Sequence, residues 1–271
     1  MNMDTLPIGV IFLATIIAVM VAIWGGYWLG RAARRHGDDE KLPPVSTIVG
    51  AALGLLSFML AFTFGMASGR YDARKALVRN EANAIGTTWL RAEFLPEPDR
   101  STAKTLLRAY VDNRLVPVQS RDLGAMKKAL AESDRIEGLL WDIAVGNGRR
   151  DMNSPVVALY IASMNEVIDL HALRVTLGLQ SRIPRGIWIV LYSLILLGMM
   201  GVGYMTAMAD STPRSWAPPI LAISYSLVIM LILSLDRPLS GFITVSQQPL
   251  VNVRASMDST IEAGSRPESK P

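Results

Sequence analysis

Histidine and cysteine, the side chains most often used for catalysis and metal binding, are nearly missing from this 271-residue chain: it has two of the first and none of the second. Without cysteine there is no disulfide framework, thiolate metal site, iron–sulfur cluster or thiol nucleophile. His36 stands beside Asp38, Asp39 and Glu40. Those donor types suit a metal, but their spacing in a mixed-charge loop reads as solvated side chains. His171 follows Glu166 and Asp169 on a helical stretch and reads as an exposed or locally bonded histidine rather than a general base. Asn165, Glu166, Asp169 and Arg174 read as a solvated or intersubunit face. No loop is built to cradle phosphate: Gly146-Asn147-Gly148 is followed by arginines, and Gly201-Val202-Gly203 lies inside an apolar run. An enzyme is not expected, nor a cofactor or resident metal.

The charged residues that could do non-covalent work are Arg70, Arg74, Lys75 and Arg79. Arg70/Arg74 and Lys75/Arg79 are i, i+4 pairs of like charge, mildly unfavourable in an isolated helix. Two uses offset that cost. One is contact with lipid phosphates at a membrane surface; the other is a vestibule that attracts small anions. The net charge of +4 does not point to nucleic acid, because the basic residues are spread along the chain and many border apolar runs.

Those residues sit just beyond the most informative stretch, Val45–Arg91. Residues 45–69 carry no charge. At about 1.5 Å per residue, that is enough helix to cross a hydrocarbon core of roughly 30 Å. The sequence then turns polar without a proline or turn signal, so 45–91 is expected to be one helix that leaves the membrane. Leu55, Phe58 and Phe62 recur at i, i+3, i+7 and share a face. Gly50, Gly54, Ala61, Gly65 and Gly69 form small-residue rows that would let neighbouring helices approach closely.

Three more apolar runs complete the membrane part. Residues 8–30 end in Trp24, Tyr27 and Trp28 as interface anchors and read as a span. A signal peptide would need a basic start and a small-residue cleavage site. Residues 186–208 and 219–235 are the third and fourth spans, with Gly198, Gly201 and Gly203 available for close packing. Asp236 and Arg237 cap the fourth span at an interface. The fold expected is an all-α integral membrane protein: four transmembrane helices, paired as 1–69 and 186–236, around a helical extramembrane domain at 70–185. Within that domain, helices are expected over 70–94, 101–115 (Ser101 as N-cap), 122–145 (ended by Gly146-Asn147-Gly148) and 154–180 (Ser154 as N-cap). The tail, 237–271, carries a short helix over 251–257 and a disordered end.

Charge gives two answers on orientation. Around the first span alone, Arg31, Arg34 and Arg35 follow and no basic residue precedes, which favours an outside N-terminus. Counting the flanks of all spans gives nine basic residues on the domain side against five on the other, which favours a cytoplasmic domain.

Ser57-Phe58-Met59-Leu60-Ala61-Phe62, followed by Arg70-Tyr71 and Arg74-Lys75 on the same helix, resembles the second helix of bestrophin anion channels. The four-span layout and the Asp236-Arg237-Pro238 after the last span resemble a bacterial bestrophin-like membrane family more closely still. The resemblance implies a homopentamer in the inner membrane, with lipid around it and five copies of the second span about a pore for chloride or another small anion. It also implies a cytosolic helical domain. Phe58 and Phe62 would then be neck residues. The family's third ring falls at Gly54, which cannot constrict a pore, so Leu55 is its substitute. No acidic cluster like the calcium clasp of animal bestrophins follows the fourth span; Asp258 and Glu262 are too few oxygen ligands. Two readings stay open: an anion channel, or a non-conducting membrane scaffold or sensor whose helical domain binds a partner.

Overall fold

Backbone N–H and C=O groups in lipid must be satisfied within the segment itself, which makes apolar runs of this length helical. The computed structural model describes residues 6–35, 42–120, 123–209, 216–237 and 242–264. His36 with its acidic neighbours, Pro238 and the end of the tail lie outside the described residues. Among the described residues eight α-helices follow in order: α1 (Ile8–Arg35), α2 (Leu42–Arg91), α3 (Asp99–Ser120), α4 (Leu123–Arg150), α5 (Pro155–Val175), α6 (Arg185–Met208), α7 (Ala217–Asp236) and α8 (Gln248–Gly264). No strand occurs among the described residues.

The chain divides into two units, one of residues 1–71 and 182–244, the other of residues 72–181 and 245–271. The division falls inside α2, which is continuous over 50 residues. Pro43 and Pro44 lie in its first turn, where a missing N–H costs no hydrogen bond.

In the first unit, α1 packs along α6 and α7. Glycine makes this approach possible at a few positions. A Cβ on Gly203 would lie 1.9 Å from the Ile23 carbonyl oxygen, and one on Gly26 would lie 1.8 Å from that of Met200. Both contacts are backbone against backbone, so no side chain can swing away. Gly201 faces α2 instead, with Val49 Cγ2 2.8 Å from its Cβ position. The core between these helices is built from Val19 and Ile23 of α1, Leu56 and Leu60 of α2, Leu191, Ile195 and Met199 of α6, and Ile229 and Ile232 of α7.

The second unit packs the distal part of α2, α3, α4, α5 and α8 around Ile85, Leu107, Tyr110, Leu140, Met164 and Val167. Inside this core sits a buried ion group. Glu81 is fully buried, 2.9 Å from Nε of Arg114, and also paired with Arg174. Tyr110 Oη lies 3.2 Å from Glu81 and 2.9 Å from Glu137. The C-terminal helix belongs to the same core. Leu250 and Met257 of α8 are buried, Arg254 pairs with Asp112, and Arg108 meets Asp258 at 2.8 Å.

Several helix ends differ from the sequence reading. The 101–115 helix starts at Asp99 and runs through Pro117 to Ser120. Ser101 is therefore inside it rather than its cap, with its hydroxyl donating to the Pro98 carbonyl. Gly146-Asn147-Gly148 does not end α4. Asn147 donates to Asp99 and to the Ile143 carbonyl, and Gly148 meets Ile161 of α5, so tertiary contacts carry the helix to Arg150. The Ser154 cap is as expected, its Oγ accepting from the Val157 N–H at 3.3 Å. Helix α8 is longer than the 251–257 segment, running from Gln248 to Gly264, with Leu250, Val253 and Met257 packed in the core.

Two stability predictions follow from these contacts. Gly203→Ala forces α1 and α6 apart and lowers the melting temperature of the detergent-purified protein, an overpacking cost on the order of 1–3 kcal/mol. Gly25→Ala, whose Cβ meets nothing within 4 Å, leaves it unchanged. Glu81→Gln strands two guanidiniums in the core and costs about 3–5 kcal/mol in thermal or denaturant unfolding. Burial alone would raise the Glu81 carboxyl, but Arg174 and Arg114 outweigh it and hold the group below its ordinary 4.5. Its contribution is therefore complete above 4.5 and is lost as pH falls through the lower native value. In an acid titration of stability, Glu81→Gln lacks that part of the acid limb.

Candidate functional site: the bare face of the second helix

A helix turns 100° per residue, so one face of α2 can be buried while the other is not. Val49, Leu56, Leu60, Thr63 and Ala67 form the buried stripe of its membrane half. On the far side, Ile48, Leu55, Phe58 and Phe62 point outward; Leu55 is 51% exposed, Phe58 65% and Phe62 54%. The three expected neck residues thus share a face that nothing among the described residues covers.

Exposed apolar residues also occur on α1, α6 and α7, where Val21, Ile189 and Ile220 face outward, so exposure alone fits lipid. The exposed surface of α2 differs in composition. Beside its large residues it presents Gly50, Ala51, Gly54, Ser57, Ala61, Gly65 and Gly69, whereas the exposed face of α1 is dominated by Val10, Leu13, Ile17, Val21, Trp24 and Trp28. The expectation that Gly50, Gly54, Gly65 and Gly69 pack α2 against neighbouring helices is not met within the chain. A Cβ at any of the four would touch nothing within 4 Å. Close packing is made instead by Gly26, Gly201 and Gly203.

The basic set beyond the span is not one patch. Arg70 Nη1 lies 3.4 Å from Asp236 Oδ1, and Arg74 is buried. Lys75 and Arg79 are exposed on a different side of the helix. A vestibule or lipid-phosphate role for all four together therefore has two exposed members, not four.

Asp236 and Arg237 are more than a cap. Asp236 Oδ1 accepts from the Ile183 N–H at 3.2 Å as well as from Arg70, and Arg182 Nη1 donates to the Asp236 carbonyl at 2.7 Å. Arg237 Nη1 donates to the Leu6 carbonyl at 2.7 Å. Both residues are almost fully buried. Four segments meet there: the chain before α1, α2, the lead into α6 and the end of α7. Sequence reading paired Asp236 with Arg237 but missed Arg70, Arg182 and Ile183, because distant partners leave no local spacing.

Two residues of α5 also move from their expected places. Arg174 is not on a solvated face but paired with Glu81, and His171 is buried beside Tyr110 Oη at 3.2 Å. Their positions carry a signal: His171 lies seven residues after Met164 and Arg174 seven after Val167, on the apolar stripe of α5 that is buried. Asp258 is engaged by Arg108 and Arg254, and the Arg254 hydrogen bond holds its carboxyl low.

A family model described as the bestrophin-like domain matches residues 17–250. No curated protein matches. Among solved structures, a point-mutant form of a bacterial bestrophin homologue from Klebsiella pneumoniae is 14% identical, with 96% of this chain and 99% of that chain covered and a TM-score of 0.62. The form solved by Zn-SAD phasing is 14% identical over 95% and 98%, with a TM-score of 0.61. A point mutant described only as a membrane protein is 14% identical over 93% and 97%, with a TM-score of 0.64. At that identity the structures carry the fold alone. With five helices long and apolar enough to cross a membrane among the described residues, and the family model spanning most of the sequence, the chain belongs to the bestrophin-like family of membrane proteins.

Proposed function

We propose that the protein is an anion-permeable channel, assembled from several copies with the bare face of α2 lining a shared axis. The carrying observation is that this face combines Leu55, Phe58 and Phe62 with glycine, alanine and serine. Small residues let identical helices crowd together, and the larger ones then narrow the space between them. A narrow apolar ring offers water no hydrogen bonds, so it empties and blocks ions until it widens. Anions rather than cations are the expected cargo by resemblance to bestrophins, which also implies a pentamer and chloride as one permeant ion. Lys75 and Arg79 are the exposed cations placed to attract such ions.

The proposed topology has four spans in a bacterial inner membrane: 8–30, 45–69, 186–208 and 219–235. Helix α5 is the fifth helix of sufficient length and apolarity. It is assigned to the extramembrane domain, because its buried face carries His171 and packs on α4, which is charged along its length. An even span count places that domain on the same side as both termini, and the whole-chain count of flanking charge favours the cytoplasm.

A non-conducting scaffold or sensor is the second reading. It is favoured by Leu90, Phe94 and Met152, large apolar residues exposed in the second unit. The two readings separate in liposomes. The channel passes chloride, and Phe58→Ala with Phe62→Ala raises the flux several-fold. No flux from either form, together with a partner lost on deleting residues 95–185, overturns the channel reading.

A further inference from the structure

The second unit holds a group of ligating side chains that neither the spans nor the apolar face uses. Asp134 and Glu137 stand one turn apart on α4, an i, i+3 pair on one face. His171 of α5 reaches between them. Its Nε2 lies 3.2 Å from Asp134 Oδ1 and its Nδ1 3.4 Å from Glu137 Oε1. One donor atom from each of the three lies within 4.8 Å of the other two. A divalent ion that binds nitrogen and oxygen at about 2.1 Å keeps tetrahedral donors about 3.4 Å apart. The 3.2 Å between Asp134 and Nε2 is near that edge length, whereas Glu137 stands at the other ring nitrogen and must rotate toward Nε2 to share the ion.

We propose that Asp134, Glu137 and His171 form a binding site for one divalent transition-metal ion of the Zn2+ class, with water completing the coordination. The donor set selects this class: one imidazole with two carboxylates suits zinc and its neighbours, whereas calcium takes six or more oxygens.

The surroundings fit such an ion in three ways. Glu137 and His171 are the closed end, with side chains 9% and 7% exposed, while Asp134 at 69% is an open mouth through which an ion enters from water. Tyr110 Oη, 2.9 Å from Glu137 Oε1 and 3.2 Å from Nδ1, steadies both inner ligands. That leaves Nε2, the nitrogen toward Asp134, as the natural metal ligand. The charge balance also has room for a cation. Two carboxylates, Asp134 and Glu137, flank a single imidazole.

The site stands whether or not the protein conducts ions, and its test reads metal binding directly. Full-length protein in detergent, stripped with chelator, is titrated with Zn2+ by calorimetry and with Co2+ by visible absorption. The site predicts one saturable Zn2+ per chain, a Co2+ ligand-field spectrum that Zn2+ displaces, and at least tenfold weaker binding for Asp134→Asn and for His171→Gln. His36→Gln, which removes the chain's other histidine, keeps full affinity. Asp134 is exposed, so its variant folds and decides the matter if His171→Gln does not. Zn2+ also raises the melting temperature of the unaltered protein but not of Asp134→Asn. No saturable binding, binding that survives Asp134→Asn, or binding lost with His36→Gln would overturn the site.

Discussion

A membrane helix has one circumference to divide between its own chain and everything else, and the rotation of α2 decides that division. Its buried stripe, from Val49 through Leu56 and Leu60 to Ala67, is taken up by α6 and α7 and the core they share with α1. Whatever lies opposite must be left bare. Rotating α2 by half a turn would bury Phe58 and Phe62 and expose Leu56 and Leu60 instead. The proposed pore lining is thus the complement of an internal packing solution.

Two features hold that rotation. Along the span, Gly201 and Gly198 of α6 receive Val49 and Leu53, with Cβ positions 2.8 and 3.2 Å from the incoming side chains. At the end of the span, Arg70 is drawn to Asp236, whose carboxylate also accepts the Ile183 N–H. A buried carboxylate with several donors is costly to leave unpaired, so this group resists sliding or turning of α2. The backbone contacts of Gly26 and Gly203 do the same for α1 against α6. Together they make the first unit a frame against which one face of one helix is presented.

Much of the architecture was legible in the sequence because it rests on runs and periods. The long apolar helices, the unbroken Val45–Arg91 helix, the shared face of Leu55, Phe58 and Phe62, and the Ser154 cap all follow from local pattern. What escaped depends on distant partners. Gly146 and Gly148 look like a helix stop until Asp99 and Ile161 are brought beside them. Gly50 and Gly203 look alike in sequence, yet one faces open space and the other a carbonyl oxygen. Arg70 and Arg74 were indistinguishable from Lys75 and Arg79 as a basic run, and only folding buries one pair's side of the helix. His171 and Arg174 were polar residues on an apolar stripe, a conflict that marks a buried polar group.

The central claim is that the bare face of α2 meets the same face of other copies, and the cysteine-free chain allows a direct measurement. A single Phe58→Cys substitution in native membranes, treated with a mild oxidant, is read by non-reducing electrophoresis beside Val21→Cys on the exposed face of α1. The account predicts efficient disulfide-linked dimers of chains from Phe58→Cys and none from Val21→Cys. Absence of cross-linking at Phe58, with its thiol labelled by a lipid-soluble reagent and shielded from a water-soluble one, would place that face against acyl chains and contradict the account.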